Sequence, residues 1–338
     1  MVGVVSDLRF MDHETGEHHP ESPLRTQYLH TLFIREDPLV RLIDPAALPV
    51  EDVLLNHGRE YVDSIARASR STSLTSLDPD TLCCEDSFDV SLLGAGSLVA
   101  LARMALESEI DSGFACVRPP GHHARRDCAM GFCLLNNAAI CARKAVGSFG
   151  LKRVAVIDFD IHHGNGTQES FYSDSRVLYF SSHQHPFYPG TGALEETGSG
   201  EGEGYTVNCP MSPGKEDGHY LALYRWVLLP ILEEYEPELI LVSAGFDSHA
   251  MDPIGGMRLS SAGFAAIAAV IREAALGVGA PAVYCLEGGY NLYALKDSVS
   301  RVMDILKGGP APDIEPLAFE ELEGFVRTHG KNWPLSLI

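Results

Sequence analysis

Three residues of this chain have the types and spacing of a metal site. Asp160 and His162 are two residues apart, so their side chains lie on the same face of an extended segment. A carboxylate and an imidazole placed in this way can hold two corners of a metal site, and Asp247 is the best candidate for the third ligand. Three protein ligands leave one coordination position open, as in catalytic zinc sites. Since structural networks also gather such residues, the prediction depends on the segments that accompany them.

Two adjacent histidines follow a stiff segment. His122 and His123 come after Pro119 and Pro120, whose fixed φ angles restrict the approach of the chain. Beside a metal site, one imidazole could accept a proton while the other tunes the local charge. Their titrations would then be coupled. The alternative is a pair of surface loop histidines, which the rigid lead-in disfavours.

A third segment contains a tyrosine whose hydroxyl could take part in a reaction. Tyr290 follows Gly288 and Gly289, which let the backbone turn sharply and leave the ring at the edge of a cleft. Its hydroxyl could donate to a developing oxyanion. Gly-Gly-Tyr alone is more often a turn followed by a packed ring, so this motif also depends on the others.

The elements that must position these residues alternate between strand and helix. Strands are predicted over residues 2–5, 114–117, 154–157, 177–180, 239–243 and 282–286. Helices are predicted over residues 24–34, 60–70, 90–107, 137–149, 219–234, 262–276 and 292–306. Apolar strands spaced by helices predict an α/β fold with a parallel sheet covered on both faces. Ligands of such sheets bind beyond the carboxyl ends of the strands, where four of these strands lead into the residues described above.

The domain organisation is predicted to be simple. Residues 1–338 form one domain, with a C-terminal extension from about residue 309. The glycine-rich residues 190–204 are predicted to be one long ordered loop.

Composition limits the partners of the protein. With 25 Lys and Arg against 46 Asp and Glu, the formal charge of −21 argues against direct nucleic-acid binding. Such a charge suits a cationic partner, although acidic surfaces also simply keep proteins soluble.

Compartment and membrane association are also predicted from the residues. The first seven residues lack the pattern of a signal peptide, and no run approaches the roughly 20 apolar residues of a membrane span. The most apolar run, residues 263–271, is predicted to be a buried helix. The eight cysteines form no Cys-x-x-Cys pair and are predicted to be reduced, so a cytoplasmic protein without membrane contact is expected.

Together these residues resemble the zinc-dependent histone deacetylase family, which includes bacterial deacetylase-like amidohydrolases and acetylpolyamine amidohydrolases. The resemblance runs from His18 to Asn291. Its most specific motifs are RPPGHHA at residues 118–124, GFC at 131–133 with Asn136-Asn137, residues 158–168, YPGTG at 188–192 and GFD at 245–247.

The resemblance implies a three-layer arginase-like fold with a central, mostly parallel sheet, and it implies roles for the site residues. Asp160, His162 and Asp247 would hold one zinc ion per chain. His123 would act as general base and then acid, and Tyr290 would polarise the acetyl carbonyl. The supporting residues would be His122 as electrostatic partner, Asp158 orienting His122, and Asn165 behind His123.

The resemblance also implies a tunnel and potassium sites. Phe132 and Tyr188 would wall the tunnel for the acetylated chain, Gly131 and Gly288 would lie near its floor, and Arg25 would lie beside a channel for acetate exit. One potassium ion would use Asp158 and Ser181 with the backbone carbonyls of Asp160 and His162. A second would use backbone carbonyls around Phe171, Val177 and Tyr205.

The number of metal ions separates this chain from the arginase relatives. Those proteins hold two manganese ions with Asp-x-His-x-Asp and Asp-x-Asp motifs, whereas Gly164 and His249 stand at the corresponding positions here. One metal ion is therefore predicted. A ligand set of oxygen and nitrogen also admits iron(II) or cobalt(II).

Three functions stay open at this point. The first is removal of acetyl or other acyl groups from lysine side chains in proteins or peptides. The second is deacetylation of acetylpolyamines, against which Ile254 counts, because an apolar gate residue offers nothing to an internal ammonium. Asp80 is expected on the rim, where it could hold substrate backbone amides. The third is a non-catalytic acyl-lysine binding module, although every expected catalytic position is filled. The acyl group and the oligomeric state are not predicted.

Overall fold

The computed structural model describes residues 1–336 and contains two sheets. The strands are β1 (Val2–Val5), β2 (Val40–Leu42), β3 (Thr75–Ser76), β4 (Leu82–Cys83), β5 (Ser112–Ala115), β6 (Val154–Asp158), β7 (Val177–Gln184), β8 (Thr206–Met211), β9 (Leu239–Ala244) and β10 (Ala282–Leu286). Eight of them form one sheet in the order β2-β1-β5-β10-β9-β6-β7-β8. Every pairing in this sheet is parallel, whereas β3 and β4 form a separate antiparallel pair. The predicted parallel α/β sheet is confirmed.

Helices connect most of the strands of the large sheet. They are α1 (Leu24–His30), α2 (Val50–Val53), α3 (Arg59–Ala68), α4 (Ser87–Leu106), α5 (Asn137–Gly147), α6 (Asn165–Phe171), α7 (Asp217–Leu223), α8 (Leu229–Tyr235), α9 (Ser261–Val278), α10 (Leu292–Leu306) and α11 (Glu320–His329). Parallel strands need such crossover connections, because a tight turn cannot join them.

Burial on both faces of the sheet divides the core into two clusters. Along β6, Val154 and Val156 belong to one cluster, and Ala155 and Ile157 belong to the other. This alternation follows from the pleat, which points successive side chains to opposite faces. Residues of α7, α8, α9 and α10 complete the first cluster, and residues of α3, α4 and α5 complete the second. Three layers therefore stack as helices, sheet and helices.

The structure differs from the sequence prediction mainly at the ends of strands and at the two edges of the large sheet. The strand predicted at 114–117 is observed at Ser112–Ala115, since the chain after Cys116 turns towards Pro119, which has no N–H for a strand ladder. Strands β2 and β8 were missed because both are edge strands without a continuous apolar pattern, and β8 contains Pro210. The short β3–β4 pair and helices α2, α6 and α11 were also missed, and α11 adds structure to the predicted C-terminal extension.

The helix predicted over 219–234 is interrupted. It is divided into α7, a π-helical turn at Tyr224–Leu228, and α8. Pro230 at the start of α8 cannot donate a backbone hydrogen bond, which is a common reason for a local change of helical pitch.

Two helices reach the length and hydropathy of a membrane span, so the expectation that no run approaches one was wrong on this measure. They are α4 and α9, with mean hydropathy of 1.4 and 1.5 over their most apolar windows. In this structure 78% of the apolar segment of α4 and 61% of that of α9 are buried, so both helices contribute to the core. A buried helix was predicted for residues 263–271, which belong to α9.

Candidate metal and catalytic site

Four strands that are neighbours in the sheet carry the predicted site residues at their carboxyl ends. In the order β5, β10, β9 and β6, these strands lead into His122 and His123, Tyr290, Asp247, and Asp160 with His162. Adjacent parallel strands end at the same sheet edge, so segments far apart in sequence meet there. The structure thus brings the four predicted segments together.

The three predicted metal ligands converge in the interior. The ligand atoms of Asp160, His162 and Asp247 all lie within 4.8 Å of one another. His162 Nδ1 is 2.9 Å from Asp160 Oδ1 and 3.2 Å from Asp247 Oδ2. All three residues are buried, and Asp247 Oδ2 has no hydrogen-bond partner among residues 1–336. Two carboxylates and one imidazole are ligands that a divalent zinc or iron ion accepts.

Local electrostatics and space also fit a cation. Burial, together with the negative charge of Asp160, raises the pKa of Asp247 to about 7. A bound cation would favour the ionised form of both carboxylates. Gly288 leaves the space open, since a Cβ there would come within 2.6 Å of Asp160 Oδ2. The residues present therefore fit a metal ion.

The two positions that hold a second metal ion in the arginase relatives have other contacts here. His249 points to the start of α9, where its Nε2 is 3.4 Å from the Ser261 hydroxyl and its ring stacks on Phe264. Gly164 packs close to Asp158 and contributes no ligand.

The adjacent histidines have different partners. Their ring centroids are 4.0 Å apart. His122 Nδ1 lies 3.0 Å from Asp158 Oδ2, and His123 Nδ1 lies 2.8 Å from Asn165 Oδ1. Asp158 and Asn165 therefore each lie behind one of the two rings.

These partners separate the two pKa values. Burial lowers the pKa of His122, but the charges of Asp158 and Asp160 outweigh it and raise the pKa to about 10. Burial lowers the pKa of His123 well below its ordinary value, and the positive charges of His122 and His162 lower it further. These surroundings favour the charged form of His122 and the neutral form of His123.

Tyr290 sits on a turn that Arg25 supports. The preceding Gly289 has a φ of +113°, a conformation that glycine adopts readily. The Arg25 guanidinium lies 5.1 Å from the Tyr290 ring centroid and donates to the carbonyls of Gly289 and Glu287. Burial, with the charge of Asp247 adding to it, raises the pKa of Tyr290 well above its ordinary value, so its hydroxyl keeps its proton. Arg25, predicted beside an exit channel, is thus also a support of the tyrosine turn.

The predicted tunnel walls lie around the histidines. The Tyr188 ring is 5.2 Å from His123, and the Phe132 ring is 5.9 Å from Tyr290. Gly131 has a φ of +55°, and a Cβ there would lie 2.8 Å from the Cγ of His123. Phe132, Tyr188 and Gly131 therefore border the site, and their role as tunnel residues stays a prediction.

Asp80 and Ile254 lie at the periphery. Asp80 Oδ1 accepts from the backbone N–H of Gly131 at 3.2 Å, which ties the carboxylate to the loop that carries Phe132. The backbone N–H of Ile254 donates to Asp252, whose other oxygen accepts from the N–H of Tyr290. The rim and gate roles of Asp80 and Ile254 stay predictions.

The potassium candidates are also close together. Asp158 and Ser181 are register partners on β6 and β7. Ser181 Oγ bonds to His183 Nδ1 at 2.9 Å, and Asp158 Oδ2 accepts from the Tyr179 hydroxyl at 3.2 Å. Around the second predicted site, the carbonyls of Phe171 and Tyr205 accept backbone hydrogen bonds. Both potassium sites stay predictions.

Sequence reasoning missed several residues that hold the site in place. Phe187 stacks on His162, with ring centroids 5.1 Å apart and an angle of 17°. His163 bonds to Thr191 and Gln168, and Glu196 accepts from Gln168, so the loop after Tyr188 is tied to the core. The adjacent His162-His163 pair was a sequence signal, but stacking and loop anchoring depend on the three-dimensional arrangement.

Comparisons with known proteins agree with this geometry. The histone deacetylase domain family model matches residues 19–306. A probable deacetylase of Archaeoglobus fulgidus is 39% identical over 297 residues, which cover 86% of this chain and 82% of the archaeal protein. The chloroplastic histone deacetylase 10 of Oryza sativa subsp. japonica is 40% identical over 79% of this chain, but the match spans only 62% of the rice protein. The crystal structure of the HDA15 HD domain has a TM-score of 0.91 at 34% identity and covers 98% of this chain and 95% of that chain.

Proposed function

The chain belongs to the histone deacetylase family, and from this premise we propose that it is a zinc-dependent amidohydrolase that removes acetyl groups from lysine side chains. Family membership indicates deacetylase activity in general, so zinc and the lysine substrate are the specific parts of the proposal. The observation that carries it is the convergence of Asp160, His162 and Asp247 beside the His122–His123 pair.

The metal would be held by Asp160, His162 and Asp247. A zinc ion there supplies Lewis acidity, which lowers the pKa of water and polarises an amide carbonyl. The remaining steps belong to the side chains of this protein.

Proton transfer falls to His123. Its low pKa leaves it neutral, so it can remove a proton from the attacking water. It then returns a proton to the leaving nitrogen, because an amine cannot depart as an anion. The charged His122 stabilises negative charge in the transition state, and the Tyr290 hydroxyl donates to the developing oxyanion.

The metal requirement can be tested by elemental analysis. The purified protein should contain one divalent ion per chain at full activity, and chelation should abolish turnover until zinc is restored. Two ions per chain at full activity would contradict the single-site proposal. Iron(II) and cobalt(II) reconstitution in parallel identifies the preferred ion. A hydroxamate, which chelates the metal, should inhibit strongly.

The substrate is tested by comparing acetyl-lysine peptides, longer acyl-lysines, acetylputrescine and acetylspermidine. We expect the acetyl-lysine peptide to have the highest kcat/KM, because Ile254 offers an apolar surface to a methylene chain and no charge to an internal ammonium. Ile254→Glu should shift the ratio towards the polyamines. A tenfold or greater preference of the wild type for acetylpolyamines would favour the second function.

A non-catalytic binding module predicts a different result. Such a protein would bind acetylated peptides without turnover, and substitution of His123 or Tyr290 would change no rate. Release of acetate by the wild type, lost on substitution of His123, rejects this alternative.

A further inference from the structure

Glu287 is a buried carboxylate that the reaction described above does not use. It follows β10 and has no exposed surface. Its Oε2 accepts hydrogen bonds from the backbone N–H groups of Gly121 at 2.6 Å and His122 at 3.2 Å. Its Oε1 accepts from the Ser243 hydroxyl at 3.0 Å. One side chain therefore contacts two other segments of the site.

These contacts join three strand ends. Gly121 and His122 belong to the loop after β5, Ser243 belongs to β9, and Glu287 itself precedes Tyr290. The backbone N–H of Glu287 also donates to the carbonyl of Ala244 at 3.0 Å. The carboxylate thus holds the histidine loop in a defined position relative to the strand that leads to the third candidate metal ligand.

A second metal site is the main alternative for this group. His122, Cys133 and Glu287 offer ligand atoms within 4.8 Å of one another. However, each already has a hydrogen-bond partner, since His122 Nδ1 pairs with Asp158 and the Cys133 thiol donates to the carbonyl of Gly131. Nδ1 of His122, the Cys133 thiol and both carboxylate oxygens of Glu287 have partners within the protein, so hydrogen bonding accounts for these groups without an ion.

We propose that Glu287 is a positioning residue, whose carboxylate fixes the backbone of His122 and thereby the location of the His123 imidazole. The proposal deepens the deacetylase function and rests on it. Catalysis depends steeply on such placement, and a displacement of about 1 Å can cost about 100-fold in rate. Length and hydrogen-bonding capacity at position 287 should therefore matter more than its charge.

Three substitutions separate these properties. In Glu287→Gln, the amide oxygen can accept from both N–H groups while the amide nitrogen donates to Ser243, so kcat should stay within about threefold of wild type. Glu287→Asp keeps the charge but is one methylene shorter, and Glu287→Ala removes the acceptor. Both should lower kcat by about tenfold or more with little change in KM, because Glu287 does not contact the substrate.

A matched control lies far from the site. Glu321 accepts from the backbone N–H of Ser212 at 3.0 Å and from its hydroxyl at 2.5 Å, so it makes the same kind of contact on α11. Glu321→Ala should lower the Tm and leave kcat unchanged. Rates are expressed per active site, titrated with a tight-binding hydroxamate, which corrects for any unfolded fraction.

The outcomes are distinguishable. Wild-type kcat in Glu287→Ala, or a normal Glu287→Asp beside a damaged Glu287→Gln, would overturn the positioning role. If Glu287→Ala does not fold, the comparison of Asp with Gln decides.

A measurement that needs no turnover tests the role of Glu287 even if the proposed deacetylase function is wrong. If the wild type hydrolyses none of the substrates, the proposed function fails, and NMR still tests Glu287. The Nδ1–H signals of His122 and His123 should exchange slowly with solvent in wild type and Glu287→Gln, and rapidly in Glu287→Asp. Equal exchange in all three proteins would overturn the proposal.

Discussion

The atoms behind two adjacent imidazoles decide what each can do. Behind His122 is the carboxylate of Asp158, and behind His123 is the neutral amide of Asn165. The carboxylate stabilises a charged ring, whereas the amide oxygen only accepts the Nδ1 proton and leaves Nε2 free. The exchange of a carboxylate for an amide therefore makes His122 an electrostatic partner and leaves His123 able to accept a proton.

Replacing Asn165 with Asp should move the pH profile. A carboxylate would raise the pKa of His123, so the acidic limb of the kcat/KM profile should shift to higher pH by about one unit or more. Activity near pH 6 should fall more than activity near pH 9, because His123 acts as a base only when it is neutral. Asn332→Asp, beyond the end of α11, is the control and should leave the profile unchanged. An identical acidic limb in Asn165→Asp would contradict the assigned base.

Tyr290→Phe tests the oxyanion donor. The Phe ring can keep its packing against Arg25 and Phe132 while the hydroxyl is lost, so kcat should fall by about 100-fold or more with binding retained. His123→Ala should be at least as damaging. Cys133→Ser is the control and should be mild, since that buried thiol only donates to the Gly131 carbonyl. Near-normal turnover of Tyr290→Phe would refute the role of the hydroxyl.

Elements bring together residues that sequence reasoning could only group by motif. The resemblance implied that Asp160, His162 and Asp247 hold one metal ion, and their ligand atoms lie within 4.8 Å of one another. The order of the central strands could not be predicted, because parallel strands that neighbour one another are separated by whole helices in sequence. Stacking of Phe187 on His162 and the contacts of Glu287 depend on that order, so no local pattern indicated them.

A buried ion pair links the N-terminal segment to the histidine loop. Glu21, just before α1, pairs with Arg118 at 2.5 Å and with Arg25 at 2.9 Å. Burial raises the pKa of Glu21, but the charge and hydrogen bonds of Arg118 outweigh it and lower the pKa to about 2. The carboxylate therefore stabilises the folded state when it is ionised.

Glu21→Gln should destabilise the protein in a pH-dependent way. At pH 7 the free energy of unfolding should fall by about 3–5 kcal/mol, because two buried arginines lose their countercharge. Since the folded pKa lies below the unfolded value of 4.5, this contribution is complete above pH 4.5 and is lost as the pH falls towards 2. Urea unfolding of both proteins at several pH values measures the difference between their free energies of unfolding.

The control for this series is an exposed ion pair. Glu109 pairs with Arg41 at 3.4 Å with both side chains about half exposed, so Glu109→Gln should change stability by less than about 1 kcal/mol. If the difference in free energy of unfolding between Glu21→Gln and wild type does not depend on pH, packing and not charge causes the destabilisation.

At the scale of the whole molecule, the charge of −21 sets a long-range field. Such a field raises the encounter rate of cationic substrates and has little effect on neutral ones. Salt shortens the range of this field, because the Debye length falls from about 30 Å at 0.01 M to about 8 Å at 0.15 M ionic strength.

Ionic strength should therefore act on substrates according to their charge. Between 0.01 M and 0.15 M salt, kcat/KM for acetylspermidine should fall several-fold, whereas kcat/KM for an uncharged acetyl-lysine peptide should change little. Varying NaCl and KCl separately distinguishes screening from a specific potassium effect. Equal salt dependence for the two substrates would mean that the acidic surface does not steer them.

The position of β10 has a consequence for synthesis of the chain. This strand is the last of the eight to be made, yet it lies between β5 and β9 and joins two groups of strands. The group β9-β6-β7-β8 carries all three candidate metal ligands, whereas the histidine loop belongs to the group β2-β1-β5. A nascent chain that ends before residue 282 already contains the three candidate ligands and the histidine loop, but it lacks Glu287 and Tyr290. The pairing of β5 with β10 and of β10 with β9 must therefore wait for the last strand, as is usual for contacts between distant parts of a parallel sheet.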